Sequence, residues 1–286
     1  MKRRLILGAA AAMLSILGAA TAYAAVEGIN GGPGVMMEEN MAEQTADTMK
    51  GNSTEKLTDK DSQTPEQTAL AEGPVTAFGT DVSRIDIPED AEVLVIVEGS
   101  GLDAAVSTYT KDTEAGAWEL LDFTSEGKLG RKGLGKEVEG DEKTPMGIFK
   151  MNTPFGIKDA LEGFPDNYIK VTSDLYWNGD SDSELYNRLV STNTYDDFNK
   201  SKSEHLIDYA GYYNYCIDTG YNPEGTPHRG SALFLHCSMG INTGGCIAIP
   251  EETMIQILKE YKEGKTYIAI GDVTDMQKLY RASEEA

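Results

Sequence analysis

The residues best suited to chemistry lie between positions 230 and 250, where a strand-like run ends at His236 and Gly244-Gly245 then presents Cys246. A cysteine becomes a nucleophile when a nearby imidazole accepts its proton, and backbone N–H groups beside a diglycine can face the oxyanion that forms. Thr243-Gly244-Gly245-Cys246 therefore reads as a nucleophile elbow. Taken singly, each residue also has a plainer reading. A buried cysteine is commonly an inert small hydrophobe, and a histidine in an apolar strand can be a satisfied core residue. The three cysteines, Cys216, Cys237 and Cys246, have no framework spacing, and an odd number leaves one unpaired. Zinc held by His236, Cys237, Cys246 and Cys216 is a third reading; adjacent His-Cys ligands match no usual zinc spacing, so no metal is expected.

Such residues need strands to position them. Residues 92–97, 105–111 and 118–123 alternate or run apolar with Gly-containing turns between them and predict an opening β-meander. Residues 212–217 and 232–237 are rich in aromatic or aliphatic side chains and predict central strands. Residues 184–189 are expected to form a short helix. Pro250-Glu251-Glu252 opens a longer one, with Met254, Ile257, Leu258 and Tyr261 on one face and Gly264 as its stop; a strand over 266–270 follows. The glycine-rich stretch 127–140 lacks the P-loop spacing of a phosphate cradle and reads as turns joining strands.

The chain has 286 residues and a formal charge of −22, from 47 acidic and 25 basic side chains. That is ample for one full core, and the acidic balance disfavours nucleic acid, which is bound largely through lysine and arginine. Lys2, Arg3 and Arg4 precede an Ala-rich apolar run that ends in Ala22-Tyr23-Ala24, the pattern of a cleaved secretory signal over residues 1–24. An uncleaved anchor would need a longer, more strongly apolar run. Residues 25–75 are rich in Gly, Glu, Thr and Gln without an aromatic residue from 26 on, and predict a disordered acidic linker. Residues 76–286 are left as the folded domain, exported to the cell envelope.

Thr243-Gly244-Gly245-Cys246-Ile247, preceded by the strand ending at His236, resembles the [S/T]-x-G-C active-site signature of the L,D-transpeptidase (YkuD-type) family. Lys143-Thr144-Pro145-Met146-Gly147-Ile148-Phe149 is similar to the family's K-T-P-x-G-x-F segment, and Phe155-Gly156 follows it. The ordered match runs from Ala91 to Ile270. The resemblance implies a mainly β, β-sandwich-like catalytic domain with a few helices, which cross-links peptidoglycan stem peptides and needs no cofactor. Cys246 would attack the carbonyl between the third stem residue, a diamino acid, and the terminal D-Ala. The amine of a second stem would resolve the thioester. His236 matches the base, and the amides of Gly245 and Cys246 would form the oxyanion hole, with Gly244 a weaker contributor.

The sequence departs from the family pattern at Gly244, where many members carry His or Arg, at Ala248, where many carry Arg or Asn, and at Cys237 in place of Gly or Ser. Cys237 is read as packing, with an inactivating disulfide to Cys246 as the alternative. Arg229, in the turn Pro227-His228-Arg229-Gly230, is a candidate for binding a stem carboxylate through its planar fork. Trp177, beside Tyr176, is a candidate for lining the substrate groove, and Thr243 joins them as a substrate-binding candidate. Rival functions are an L,D-carboxypeptidase, in which water resolves the same thioester, a non-catalytic wall-binding protein and a zinc-dependent hydrolase. No residue identifies a protein partner.

Overall fold

The computed structural model describes residues 81–195 and 197–274. The expected signal peptide over 1–24, the linker over 25–75 and residues 76–80 lie outside the described residues. Among the latter, no helix is long and apolar enough to cross a membrane.

The chain opens with the antiparallel meander β1 (Val93–Ser100), β2 (Asp103–Lys111) and β3 (Trp118–Lys128). The unbroken apolar run of β1 reflects burial on both faces, with Val95 and Val97 in one core cluster and Leu94 and Ile96 in another. Short strands follow: β4 (Gly147–Lys150), β5 (Pro154–Gly156), β6 (Ile169–Lys170), β7 (Leu175–Asn178), β8 (Arg188–Ser191) and β9 (Glu204–His205). The last third holds β10 (Cys216–Asp218), β11 (Phe234–Cys237), β12 (Ile247–Ile249), the helix α1 (Glu251–Glu260) and β13 (Thr266–Asp272).

Ten strands form one sheet in the order β4-β13-β1-β2-β3-β12-β11-β10-β5-β6, and β8-β7-β9 form a second. The large sheet has two halves joined at β3 and β12 through the single pair Lys128 and Ala248. It curls so that both halves turn one face toward a shared core, closed by Met254, Ile257 and Leu258 of α1. Each such fully buried aliphatic side chain contributes about 1.5–3 kcal/mol of burial free energy. The fold is mainly β and sandwich-like, with α1 as the one α-helix among the described residues. Its first turn carries Glu251 and Glu252 at the positive end, as expected of that sequence.

Two expected elements differ. Residues 212–214 form a 3-10 turn, and β10 begins only at Cys216. Asn214 closes that turn by accepting the Gly211 amide on its side chain at 3.1 Å, a local bond that outcompetes the β preference of the tyrosines. The helix expected over 184–189 is a turn running into β8. Asn187 stands there at φ 58°, a left-handed conformation that no helix continues.

The outward face of β10, β11 and β12 carries a separate cluster that includes Phe155, Trp177, Tyr213, Phe234 and Cys246. Alternation decides which side chains reach it: Phe234 and His236 face outward, while Leu235 and Cys237 face the shared core.

Candidate active site

β11 and β12 run parallel, with Leu235 paired to Ile247 and His236 to Ala248. Cys246, one residue before β12, therefore emerges beside Phe234 on the same face as His236. Both residues line one cavity of about 470 Å³. Cys246 is 8% exposed and His236 4%.

The thiol donates to the Ala232 carbonyl at 3.2 Å and accepts from the Phe234 amide at 3.3 Å. His236 Nδ1 lies 2.9 Å from the Cys237 carbonyl. A carbonyl can only accept, so this contact places the proton on Nδ1 and leaves Nε2 with a free lone pair. The two side chains are not hydrogen-bonded to each other. Burial brings the imidazole down to about 4, against the opposing pull of its carbonyl partner. Burial, and then the negative charge of Glu204, push the Cys246 thiol up to about 12. At neutral pH the resting pair is therefore thiol and neutral imidazole, and proton transfer must accompany attack on a carbonyl.

The two sequence motifs, far apart in the chain, meet at the Cys246 carbonyl. Thr243 Oγ1 donates to it at 2.7 Å and Thr144 Oγ1 at 3.3 Å, while Thr144 also accepts the Gly130 amide at 2.9 Å. Gly245 adopts φ 144°, and a Cβ there would stand 2.8 Å from the Lys143 carbonyl. Only glycine lets the elbow lie this close to the Lys143-Thr144 backbone. An added Cβ at Gly244 would meet nothing within 4 Å, so that position faces open space.

Thr243 Oγ1 also accepts the Gly245 amide at 3.1 Å. Of the amides expected to face an oxyanion, that of Gly245 is thus already engaged. Among the described residues, the amides of Gly244 and Cys246 donate to no other group.

Trp177 does not line the cavity. It is 3% exposed, stacks on Phe155 and packs edge-on against Phe234, because β7 turns it inward between the two sheets. It serves the site indirectly: Asn187 Oδ1 accepts from Trp177 Nε1 at 2.8 Å and from the Ala232 amide at 3.1 Å. Those bonds hold Ala232 at φ 54°, a costly left-handed conformation that aims its carbonyl at the thiol. Arg229 does not line the cavity either. Its turn leaves it exposed, with its guanidinium over the Tyr221 ring, 5.7 Å from the centroid. Cys237, on the inward face, has its sulfur 3.5 Å from the Tyr215 carbonyl, and all three cysteines are free. A disulfide between Cys237 and Cys246 would have to cross the sheet.

Other charged residues complete the cavity, and no spacing in the sequence marks them. Lys136, its side chain 2% exposed, pairs with Asp141 at 2.9 Å, and Arg131 pairs with Glu142. Both belong to the glycine-rich stretch that reads as plain turns. Glu139 accepts from Tyr186 and Ser231, and Glu204 from Tyr213. Tyr212 and Tyr213 pack against His236, ring centroids 6.2 and 5.5 Å away. No group of three or more His, Cys, Asp or Glu among the described residues could hold a metal ion.

No protein-family model matches the chain, and no curated protein matches it. Among solved structures it is similar to the helical cell shape determining protein Pgp2 from Campylobacter jejuni, with 15% identity and a TM-score of 0.38 over 66% of this chain and 50% of that one. It is also similar to Bd1075 from Bdellovibrio bacteriovorus, with 14% identity and a TM-score of 0.35 over 68% of this chain and 56% of that one. The chain thus spans about half the length of these structures.

Proposed function

We propose that this chain is a cysteine-dependent acyltransferase of the cell wall, an L,D-transpeptidase acting on peptidoglycan stem peptides. The observation that carries the reading is the pair Cys246 and His236, on one sheet face and one cavity wall, with the Cys246 carbonyl tied to both family-like motifs through Thr144 and Thr243.

As Cys246 sulfur attacks the carbonyl before the terminal D-Ala, its proton passes to His236 Nε2. The oxyanion is met by the amides of Gly244 and Cys246, which donate to no other group among the described residues. The tetrahedral intermediate collapses with breakage of the peptide C–N bond, and the imidazolium returns the proton to the departing D-Ala nitrogen, leaving a thioester. The amine of a second stem then adds to the thioester carbonyl, loses a proton to Nε2, and expels the sulfur, which regains that proton. Water in place of the amine gives the trimmed stem and a carboxypeptidase.

Incubation with a tetrapeptide stem and an amine acceptor, followed by mass spectrometry, tests this. Wild-type protein is expected to show a thioester adduct and to release D-Ala; Cys246→Ala shows neither. A cross-linked product marks transfer, a free tripeptide hydrolysis. Undiminished D-Ala release by Cys246→Ala rules out the mechanism.

A further inference from the structure

The cavity beside the thiol contains a carboxylate without a cation. Glu204 lies on β9, paired with Trp177 of β7, and its side chain lines the same cavity as Cys246 and His236. Oε2 accepts the Tyr213 hydroxyl at 2.6 Å. Among the described residues, Oε1 has no hydrogen-bond partner and the carboxylate has no ion-pair partner. The cavity's cations are otherwise engaged, Arg131 with Glu142 and Lys136 with Asp141. Glu139, fixed by Tyr186 and Ser231, adds a second negative charge to the same walls. Glu204 is half-buried, with Oε1 open toward the cavity, and the partial loss of water around a carboxylate is offset when a ligand cation arrives. The donor set is too small for a metal ion, so a hydrogen-bonding organic cation fits better.

We propose that Glu204 is a specificity-determining residue that pairs through Oε1 with the side-chain ammonium of the diamino residue whose carbonyl Cys246 attacks. This rests on the function proposed above. The placement also couples recognition to reactivity. The charge of Glu204 opposes ionisation of Cys246, second only to burial. An ammonium docked against Glu204 neutralises that charge, so the sulfur is easier to ionise when a diamino stem is in place than when the cavity is empty.

Two donors test the assignment: a tetrapeptide stem with its side-chain amine free, and the same stem with that amine acetylated. Wild-type protein is expected to release D-Ala from the free-amine donor with kcat/KM about 10- to 100-fold higher, the range of one charge-assisted hydrogen bond. Glu204→Gln brings the ratio close to one, and Glu204→Asp, which keeps the charge, restores most of it. Binding of the two stems to Cys246→Ala protein requires no chemistry and is expected to show the same preference, lost in the Cys246→Ala, Glu204→Gln double variant. A wild-type ratio near one, or a ratio that survives Glu204→Gln, overturns the assignment while leaving the role of Cys246 intact. Undiminished D-Ala release by Cys246→Ala instead removes the proposed mechanism, and the binding preference still decides whether Glu204 reads the ammonium.

Discussion

The two faces of β11 and β12 are built from alternate residues of the same short strands, yet they are different chemical environments. Inward, Leu235, Cys237, Ile247 and Ile249 join Met254, Ile257 and Leu258 of α1 and Val95 and Val97 of β1 in one buried core. Outward, Phe234, His236 and Cys246 meet aromatic rings, two carboxylates and open space. Burial pushes the thiols of Cys237 and Cys246 up to about 12 alike. Acidity therefore does not distinguish the proposed nucleophile from the thiol in the core. What differs is access to a carbonyl, a base with a free lone pair, and amides without acceptors, all supplied by the outward face.

Adjacent residues make the sharpest test. His236 and Cys237 are neighbours on opposite faces, so His236→Ala is expected to lower D-Ala release about 10²- to 10⁴-fold, the usual contribution of a general base. Cys237→Ala is expected to leave that rate unchanged and to cost about 1–2 kcal/mol in denaturant unfolding, the effect of removing one buried sulfur from a packed core. Equal rate losses in the two variants would mean that the faces are not chemically distinct.

The same alternation explains what could be read beforehand. β1, β2, β11, α1 and β13 follow from apolar periodicity because each buries a regular set of side chains, and His236 lies on one of them; Cys246 precedes the three-residue β12, too short to show a period in the sequence. The 3-10 turn at Tyr212 was hidden because Asn214 closes it with a side-chain bond that no propensity encodes. Trp177 and Arg229 illustrate the limit at the site itself. An aromatic ring or a loop guanidinium suits a groove by type, but the packing of β7 on the large sheet and the Tyr221 ring decide where each ends up. Lys136, Glu139 and Glu204 reach the cavity through loops and a two-residue strand, where tertiary contacts set side-chain direction. The joining of Thr144 to the Cys246 carbonyl is likewise a tertiary fact, although both motifs were visible.

A second way to break the contrast is to spoil the outward face without touching a reacting group. Gly245→Ala places a Cβ 2.8 Å from the Lys143 carbonyl at a φ that L side chains rarely adopt. The elbow must shift, at a cost of about 1–3 kcal/mol in unfolding free energy. The amides of Gly244 and Cys246 move with it, so the rate of thioester formation should fall as well. A variant of normal stability and normal rate would show that the close approach of the two motifs is not required.

The smallest effect concerns the electrostatics of the outward face. Burial, chiefly, and the charge of Glu139 raise the Glu204 carboxyl from its ordinary 4.5 to about 7, against the lowering bond from Tyr213. Between those pH values the native protein keeps a proton that the unfolded chain has released. Stability is therefore lost as pH rises through that window, and the deficit persists above it. The charged and titratable groups that line the cavity with Glu204 are Arg131, Lys136, Glu139, His236, Cys246 and the tyrosines Tyr209, Tyr212 and Tyr213. His236, lowered from 6.5 to about 4, runs the other way, losing stability as pH falls from 6.5 toward 4. Comparing Glu204→Gln with wild type at each pH cancels that contribution, because both proteins carry the same imidazole. Glu204→Gln is expected to be more stable by on the order of 1–2 kcal/mol near pH 8 and equal to wild type near pH 4.5, measured by urea unfolding. Curves that coincide at all pH values would mean that the carboxylate is solvated at no cost, and the outward face would then hold no unspent charge for a ligand to neutralise. A gain confined to high pH would instead locate a destabilising group in the cavity itself, where stability has been given up for binding.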